Sequence, residues 1–187
     1  SFTLASSPTE ENFILISTRI RDTPFKEKLA SLDVGISVTL TAPLGKFVLH
    51  EDYSKAAVFL SGGIGVTPFR SMIKYATDKQ LPIKIILFDA NRNQDNILYK
   101  KEFDECTNLN KNLKIVYTLD VGDNDWKGEQ GHINQAMVVK YVDVNKLEDS
   151  IFYICGPPGM LKAMQKLLQD DLRIPKQRLK IEEFTCY

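Results

Sequence analysis

One stretch of this chain has residue types and spacing suited to holding a phosphate: Leu60-Ser61-Gly62-Gly63-Ile64-Gly65-Val66-Thr67-Pro68-Phe69-Arg70-Ser71-Met72. Glycine lets backbone N–H groups approach an anion closely. A helix beginning there adds partial positive charge. Thr67 followed by Pro68 reads as an N-cap and first helical residue. The turn is therefore a candidate pyrophosphate cradle, with a tight structural turn as the alternative. It is not the G-x-G-x-x-G fingerprint, because Pro68 stands where the third glycine belongs, and no Gly-Lys-Ser/Thr follows to make a P-loop.

Strand and helix patterns must position that turn. The apolar run 56–60 precedes it at strand length, and Phe69, Met72, Ile73 and Ala76 follow at helical spacing. Residues 83–88 and 113–119 read as a second and third strand, with a helix over 97–106 opened by Asp95 or Asn96. A polar loop over 122–131 surrounds Trp126, and a helix spans 133–141. Residues 150–155 form a fourth strand; Gly156-Pro157-Pro158-Gly159 turns into a helix over 160–172, and a strand over 179–184 closes the chain. This alternation predicts an α/β fold, a parallel sheet with helices on both faces. In such sheets ligands bind beyond the carboxyl ends of the strands. The turns at 62–67, 89–92 and 155–160 converge there, which raises the case for a nucleotide site.

Residues 1–52 read differently, mostly as β. Strands are expected over 13–20, 36–41 and 47–49, with a turn over 42–46. Thr23-Pro24 opens a short helix with Phe25, Leu29 and Leu32 on one face. Polar residues 51–55 place a domain boundary between 52 and 53.

Composition sets broad limits. The 187 residues include 24 basic and 24 acidic side chains, a balance that argues against a nucleic-acid surface. No apolar run reaches the roughly 20 residues of a transmembrane segment, and no signal-peptide pattern is seen. Cys106, Cys155 and Cys186 lack metal-ligand spacing, so no metal is expected, and they suit a reducing, cytoplasmic setting.

Three motifs together carry a family resemblance: Gly62-Gly63-Ile64-Gly65-Val66-Thr67-Pro68, Cys155-Gly156-Pro157-Pro158-Gly159-Met160 and the tail Glu182-Glu183-Phe184-Thr185-Cys186-Tyr187. In order and separation they resemble the ferredoxin–NADP reductase superfamily, in which a small antiparallel FAD-binding β-barrel precedes an NAD(P)-binding α/β domain. The resemblance spans the chain. Ser1-Phe2-Thr3-Leu4-Ala5-Ser6-Ser7-Pro8 resembles the flavin motif Arg-x-Tyr/Phe-Ser/Thr. Arg21-Asp22-Thr23-Pro24-Phe25-Lys26 resembles the segment that meets the FAD pyrophosphate, and Gly45 and Phe47 the barrel's Pro-x-Gly-x-Phe turn. The motif's arginine would lie before Ser1, so the sequence is expected to begin within the barrel, making 1–52 its C-terminal part and 53–187 the NAD(P) domain. Cys186 stands where many relatives have glycine.

The resemblance implies hydride transfer from nicotinamide to flavin and electron release to an acceptor, with FAD and NADP or NAD as cofactors. Phe2 and Thr3 would contact the flavin. Thr23, Phe25 and Lys26 would hold its phosphate, with a plain N-cap threonine as the other reading. Gly62, Gly63, Gly65, Thr67 and Pro68 would cradle the NAD(P) pyrophosphate, joined by Gly156, Pro157 and Met160. Cys155 and Glu183, or its neighbour Glu182, would flank the transfer site, a core cysteine and solvated acids being the alternatives. Tyr187 would approach the flavin. Asp89 would accept from a ribose 2′-OH, whereas Asn91 and Arg92 resemble a 2′-phosphate-binding pair and tilt the reading to NADPH. Strand capping and solvated loop positions remain the competing readings.

The expected function is a flavin-dependent NAD(P)H oxidoreductase serving a protein acceptor such as ferredoxin or flavodoxin, or an oxygenase or larger redox complex. The alternative is a nucleotide-binding regulatory module without flavin turnover. A dehydrogenase acting directly on a small substrate lacks a His or Lys placed as proton donor.

Overall fold

Apolar runs of five to seven residues, rich in β-branched and aromatic side chains, favour strands over helices. The computed structural model describes residues 2–20, 22–122 and 125–183, the side chains of 144–146 excepted. Among the described residues there are six strands: β1 Ala57–Gly62, β2 Ile85–Asn91, β3 Leu113–Leu119, β4 Glu129–Gln130, β5 Ile151–Gly156 and β6 Leu179–Glu183. They form one sheet in the order β4-β3-β2-β1-β5-β6, parallel at every pairing. The α-helices among the described residues are α1 Pro24–Ala30, α2 Thr67–Asp78, α3 Lys100–Leu109, α4 Gln135–Tyr141 and α5 Pro158–Lys166, with short 3-10 and π-type turns between elements.

Alternate residues of each central strand feed different cores. Phe59, Leu87 and Tyr153 pack with Phe69 and Ile73 of α2 and Phe103 of α3. Leu60, Phe88 and Ile154 pack with Val138 of α4 and Leu161 of α5. Helices thus cover both faces, as the alternation of elements predicts. Burial of each large side chain contributes about 1.5–3 kcal/mol.

Local geometry shifts several boundaries. Asp95 and Asn96 do not open α3: the Asn93 side chain accepts from Asn96 N and caps a short 3-10 turn, Gln94–Asn96. Tyr99, at φ 56°, then redirects the backbone into α3. Asn134 caps α4 by accepting from Met137 N at 3.0 Å. The loop around Trp126 contains β4, and the indole donates to Glu129 O at 2.8 Å. The helix expected over 160–172 is α5, followed by a wider π-type turn, Leu167–Asp171.

The strands expected over 13–20, 36–41 and 47–49 do not form ladders. Among the described residues of that segment there is one isolated antiparallel bridge, Leu4↔Ile16. A strand needs a partner for its N–H and C=O groups, and residues 36–40 pair with no strand among the described residues. Ile36, Val38 and Leu40 are correspondingly exposed. The helix opened by Thr23 does form: Thr23 accepts from Lys26 N at 3.4 Å, with Pro24 in its first turn. Tyr153 also anchors the segment, because its hydroxyl receives His50 N at 2.9 Å and donates to Val48 O at 3.3 Å. No helix among the described residues is long and apolar enough to cross a membrane.

Candidate functional site

The chain runs outward from β1 through β2 and β3, then returns to place β5 on the other side of β1. The carboxyl ends of β1 and β5 therefore form the switch point where open α/β sheets bind ligands. Both ends are glycine. A Cβ on Gly156 would stand 3.3 Å from Gly62 N, and one on Gly62 would run into Met160 Sδ and lie 3.2 Å from Pro157 Cδ. A Cβ on Gly65 would overlap the Cys155 carbonyl oxygen and stand 2.8 Å from Gly156 Cα. Gly63 has φ +55°, a left-handed conformation that other residues adopt at a cost. These glycines hold the turn hard against β5.

The turn itself winds as a 3-10 segment, Gly63–Val66, directly into α2. Thr67 is consequently already helical, at φ −55° and ψ −49°, and Val66 rather than Thr67 is the N-cap of α2. The Thr67 hydroxyl donates to Ile64 O at 3.1 Å and is buried, as is Pro68. Neither the 3-10 turn nor α2 has a side-chain cap, and α5, which begins after Pro157, has none either. Two helix starts without side-chain caps flank the switch point. The Thr67 amide already donates to Ile64 O, and Pro68, Pro157 and Pro158 carry no N–H. An anion here would therefore meet the first amides of the 3-10 turn and those of Gly159 and Met160, with the partial positive charge of the helix starts. The Arg19 guanidinium adds a full charge: Nη2 lies 3.1 Å from where a Gly63 Cβ would stand.

One register row crosses the sheet just below this edge: Glu182, Cys155, Ser61, Asp89 and Tyr117. Asp89 is fully buried. Burial pushes its carboxyl up to about 7, against a lowering by Asn91, whose amide donates at 2.9 Å, and a weaker one by the Ser61 hydroxyl. Ser61 Oγ, Asp89 Oδ1, Asn91 Oδ1 and Tyr117 OH make no hydrogen bond of normal geometry among the described residues. Because β2 runs to Asn91, Asp89 lies inside the sheet instead of at a ribose-facing strand end. Asn91 is buried too, leaving Arg92 as the exposed member of the expected specificity group. Cys155 is completely buried in the α2-side core. Burial, then the neighbouring Glu182, raises its thiol well above the ordinary range, so it is protonated at neutral pH. Glu182 is half-buried and raised by desolvation, whereas Glu183 is exposed and pairs in register with Gly156.

The residues expected to meet flavin lie apart from the sheet's carboxyl edge in sequence but cluster with one another in part. Phe2 and Phe25 approach at 5.8 Å between ring centroids, and Phe25 is 61% exposed. Thr3 is half-buried, while Lys26 is buried and its amide is already bonded to Thr23. Tyr187, Cys186, Phe184 and Arg21 lie outside the described residues.

The residues present fit a dinucleotide: a glycine cradle, two helix starts without side-chain caps and a nearby guanidinium. For FAD the exposed Phe25 ring beside Phe2 offers an aromatic surface, while the Lys26 amide is not free for phosphate. Sequence reasoning missed Arg19, because nothing local marks a basic residue 44 positions from the turn it faces. It also missed Ser61 as a buried polar neighbour, although its place in an otherwise apolar run was a visible signal.

Comparison with known proteins agrees with this geometry. Residues 59–166 match the family described as "Oxidoreductase NAD-binding domain". The chain is 27% identical to a component of the Na(+)-translocating NADH-quinone reductase of Idiomarina loihiensis, over 98% of this chain and 48% of that protein. It is 29% identical to an NADH-cytochrome b5 reductase-like protein of Arabidopsis thaliana, over 86% of this chain and 49% of that one. The chain thus spans about half the length of these curated relatives. The FAD/NAD-binding domain of a nitric oxide dioxygenase from Vibrio cholerae superposes with a TM-score of 0.83 at 21% identity, covering 98% of this chain and 76% of that structure. A fold shared with the ferredoxin–NADP reductase superfamily and a family match over more than half its length agree: the chain belongs to the oxidoreductase NAD-binding domain family.

Proposed function

We propose that this chain is part of a flavin-dependent oxidoreductase that takes a hydride from NAD(P)H and passes electrons to a further redox partner. The observation that carries this reading is the glycine-lined meeting of β1 and β5, flanked by helix starts without side-chain caps. Relatives named as NADH-quinone and cytochrome b5 reductases support it. Gly62, Gly63, Gly65 and Gly156 would admit the pyrophosphate, with Arg19 pairing its charge and Pro157 and Met160 walling one side. Phe2, Thr3, Thr23 and Phe25 would bind FAD, with Tyr187 covering it. A bound FAD would supply the hydride acceptor and release the electrons. Cys155, held neutral by burial, would act as a filler beside the transfer path instead of as an acid or base. Glu182 or Glu183 would orient groups there. Arg92 would pair with the 2′-phosphate of NADPH.

The partner is proposed to be a protein acceptor such as ferredoxin, flavodoxin, an oxygenase or a larger redox complex, in the cytoplasm. The domain division near residue 52 belongs to this reading. A nucleotide-binding module without flavin turnover is the second reading, favoured by the exposed apolar side chains over 36–40. Anaerobic mixing of the FAD-loaded protein with NADPH or NADH separates the two. Bleaching of the flavin absorbance, followed by reoxidation on adding an acceptor, is expected. Nucleotide binding with no bleaching would favour the module.

A further inference from the structure

Arg70 lies one turn into the helix that the glycine turn opens. By position it suggests a phosphate ligand, yet its side chain is turned elsewhere. Nε donates to Glu102 Oε2 at 2.8 Å, and Nη2 lies 2.6 Å from the same oxygen. Nη1 donates to Ala5 O and to Glu10 Oε2, both at 2.8 Å, and Nη2 donates to Glu10 Oε1 at 3.0 Å. A guanidinium has five N–H donors, and five contacts take them up. Its Cζ also lies over the Tyr99 ring, 5.4 Å from the ring centre. With 6% of its surface exposed, Arg70 has nothing left for an anion.

What these contacts join is informative. Glu102 is on α3, whereas Ala5 and Glu10 belong to the segment that directly follows Phe2 and Thr3. The attachment is wider than one side chain. Ser71 Oγ donates to Ser6 O at 2.7 Å, and Thr9 Oγ1 donates to Asp78 Oδ2 at 2.5 Å. Tyr99 OH donates to Ser17 Oγ. Glu10 closes the loop on itself by accepting from Ser7 N at 2.7 Å. Ala5, Ser6 and Ser7 are consequently buried, unlike most of the N-terminal segment.

We infer that Arg70 is a positioning residue: its bidentate clasp on Glu10 and Ala5 O fixes the flavin-contacting segment to the helix that starts at the nucleotide turn. The inference rests on the function proposed above. Hydride transfer needs the two reacting rings held in a narrow range of distance and angle. Arg70 sets that range by coupling the two cofactor segments through one rigid planar group. Lysine keeps the charge but lacks the fork.

The test uses Glu10→Gln and Arg70→Lys in the FAD-loaded protein. Glu10→Gln leaves the Arg70–Glu102 pair on α2 and α3 intact, so it releases the segment without opening the helix pair. Three quantities are read: the limiting rate of flavin reduction at saturating NAD(P)H, the nucleotide dissociation constant, and the long-wavelength charge-transfer absorbance of the stacked rings. Hydrogen exchange at the Ser7 amide reports the clasp independently of turnover. The expected result is a limiting rate at least tenfold slower, a weaker charge-transfer band and faster exchange at Ser7, with nucleotide affinity within about twofold. Faster exchange with an unchanged limiting rate and band would overturn the positioning role, as would an unchanged exchange rate. A loss confined to nucleotide affinity would also overturn it. A parent protein that NAD(P)H does not reduce would overturn the function reading and this inference with it; a reducible parent with unaffected variants overturns this inference alone.

Discussion

Residues 57–62, a nearly continuous apolar run, and residues 36–40, an alternating one, both have strand-like patterns, yet they end in opposite environments. Every residue of β1 is buried between β2 and β5, with helices on both faces. Val38 is 72% exposed and belongs to no ladder. The difference lies in the source of the partners. Each neighbour of β1 arrives through a crossover encoded within the same region, so backbone bonds and side-chain burial reinforce each other. The 36–40 run has the alternating pattern without a paired edge. Pattern selects a strand; only partners make one.

Truncating one side chain in each run should have very different effects. Phe59 stacks on Phe69 at 4.6 Å and meets Tyr153 edge-on at 5.1 Å. Phe59→Ala should cost about 3–5 kcal/mol in urea unfolding. Val38→Ala should change stability by less than about 0.5 kcal/mol, the smallest effect expected here; a comparable loss would mean that the segment is packed in solution.

Acids divide between the same two environments. Asp52, in the polar stretch before β1, is held down at about 2, first by Ser54 and then by Lys55. Asp89, inside the sheet, is pushed up to about 7 by burial. Its folded-state pKa lies above its unfolded one, so the stability it contributes is complete below about 3.8 and is lost as pH rises through about 7. Between those values the group adds a slope of up to about 1.4 kcal/mol per pH unit. Asp89→Asn should flatten stability against pH over that window, measured by unfolding at pH 5 and 8. An unchanged profile would show that Asp89 is not buried as an acid.

Next come two glycines near the edge. Gly65→Ala forces a methyl into the Cys155 backbone and should cost about 1–3 kcal/mol, along with nucleotide affinity. Gly159→Ala, where a Cβ meets nothing within 4 Å, should stabilise by about 0.4–1 kcal/mol. Equal effects from both would remove the close approach from the explanation. Smaller again in reach is Arg92→Ala. Losing a charge-assisted hydrogen bond worth about 1.5–3 kcal/mol should cut the NADPH-to-NADH preference roughly tenfold or more. Equal losses for both nucleotides would return Arg92 to a solvated loop role.

The parallel sheet was legible because its signals are local: short apolar runs, intervening helical periodicity and glycine turns all lie within one crossover. The expected cap at Thr67 failed because a 3-10 turn brings the backbone into helical geometry before that residue. The apolar run stops at Phe88, so the sequence puts Asp89 at a strand end; pairing with Ser61 and Tyr117 carries the strand on to Asn91 and buries the acid. The roles of Arg19 and Arg70 depend on partners 32 to 65 positions away, beyond any periodic signal. Strands over 13–20 and 36–41 required partners that no local pattern supplies.

The most direct test is a calorimetric titration of NADPH and NADH into the chain without added flavin. If the glycine-lined edge of β1 and β5 is the nucleotide site, one nucleotide should bind per chain, saturably, and Gly65→Glu should abolish that binding. Absence of saturable binding by a chain whose circular dichroism shows the folded α/β signature, or undiminished binding by folded Gly65→Glu, would contradict it.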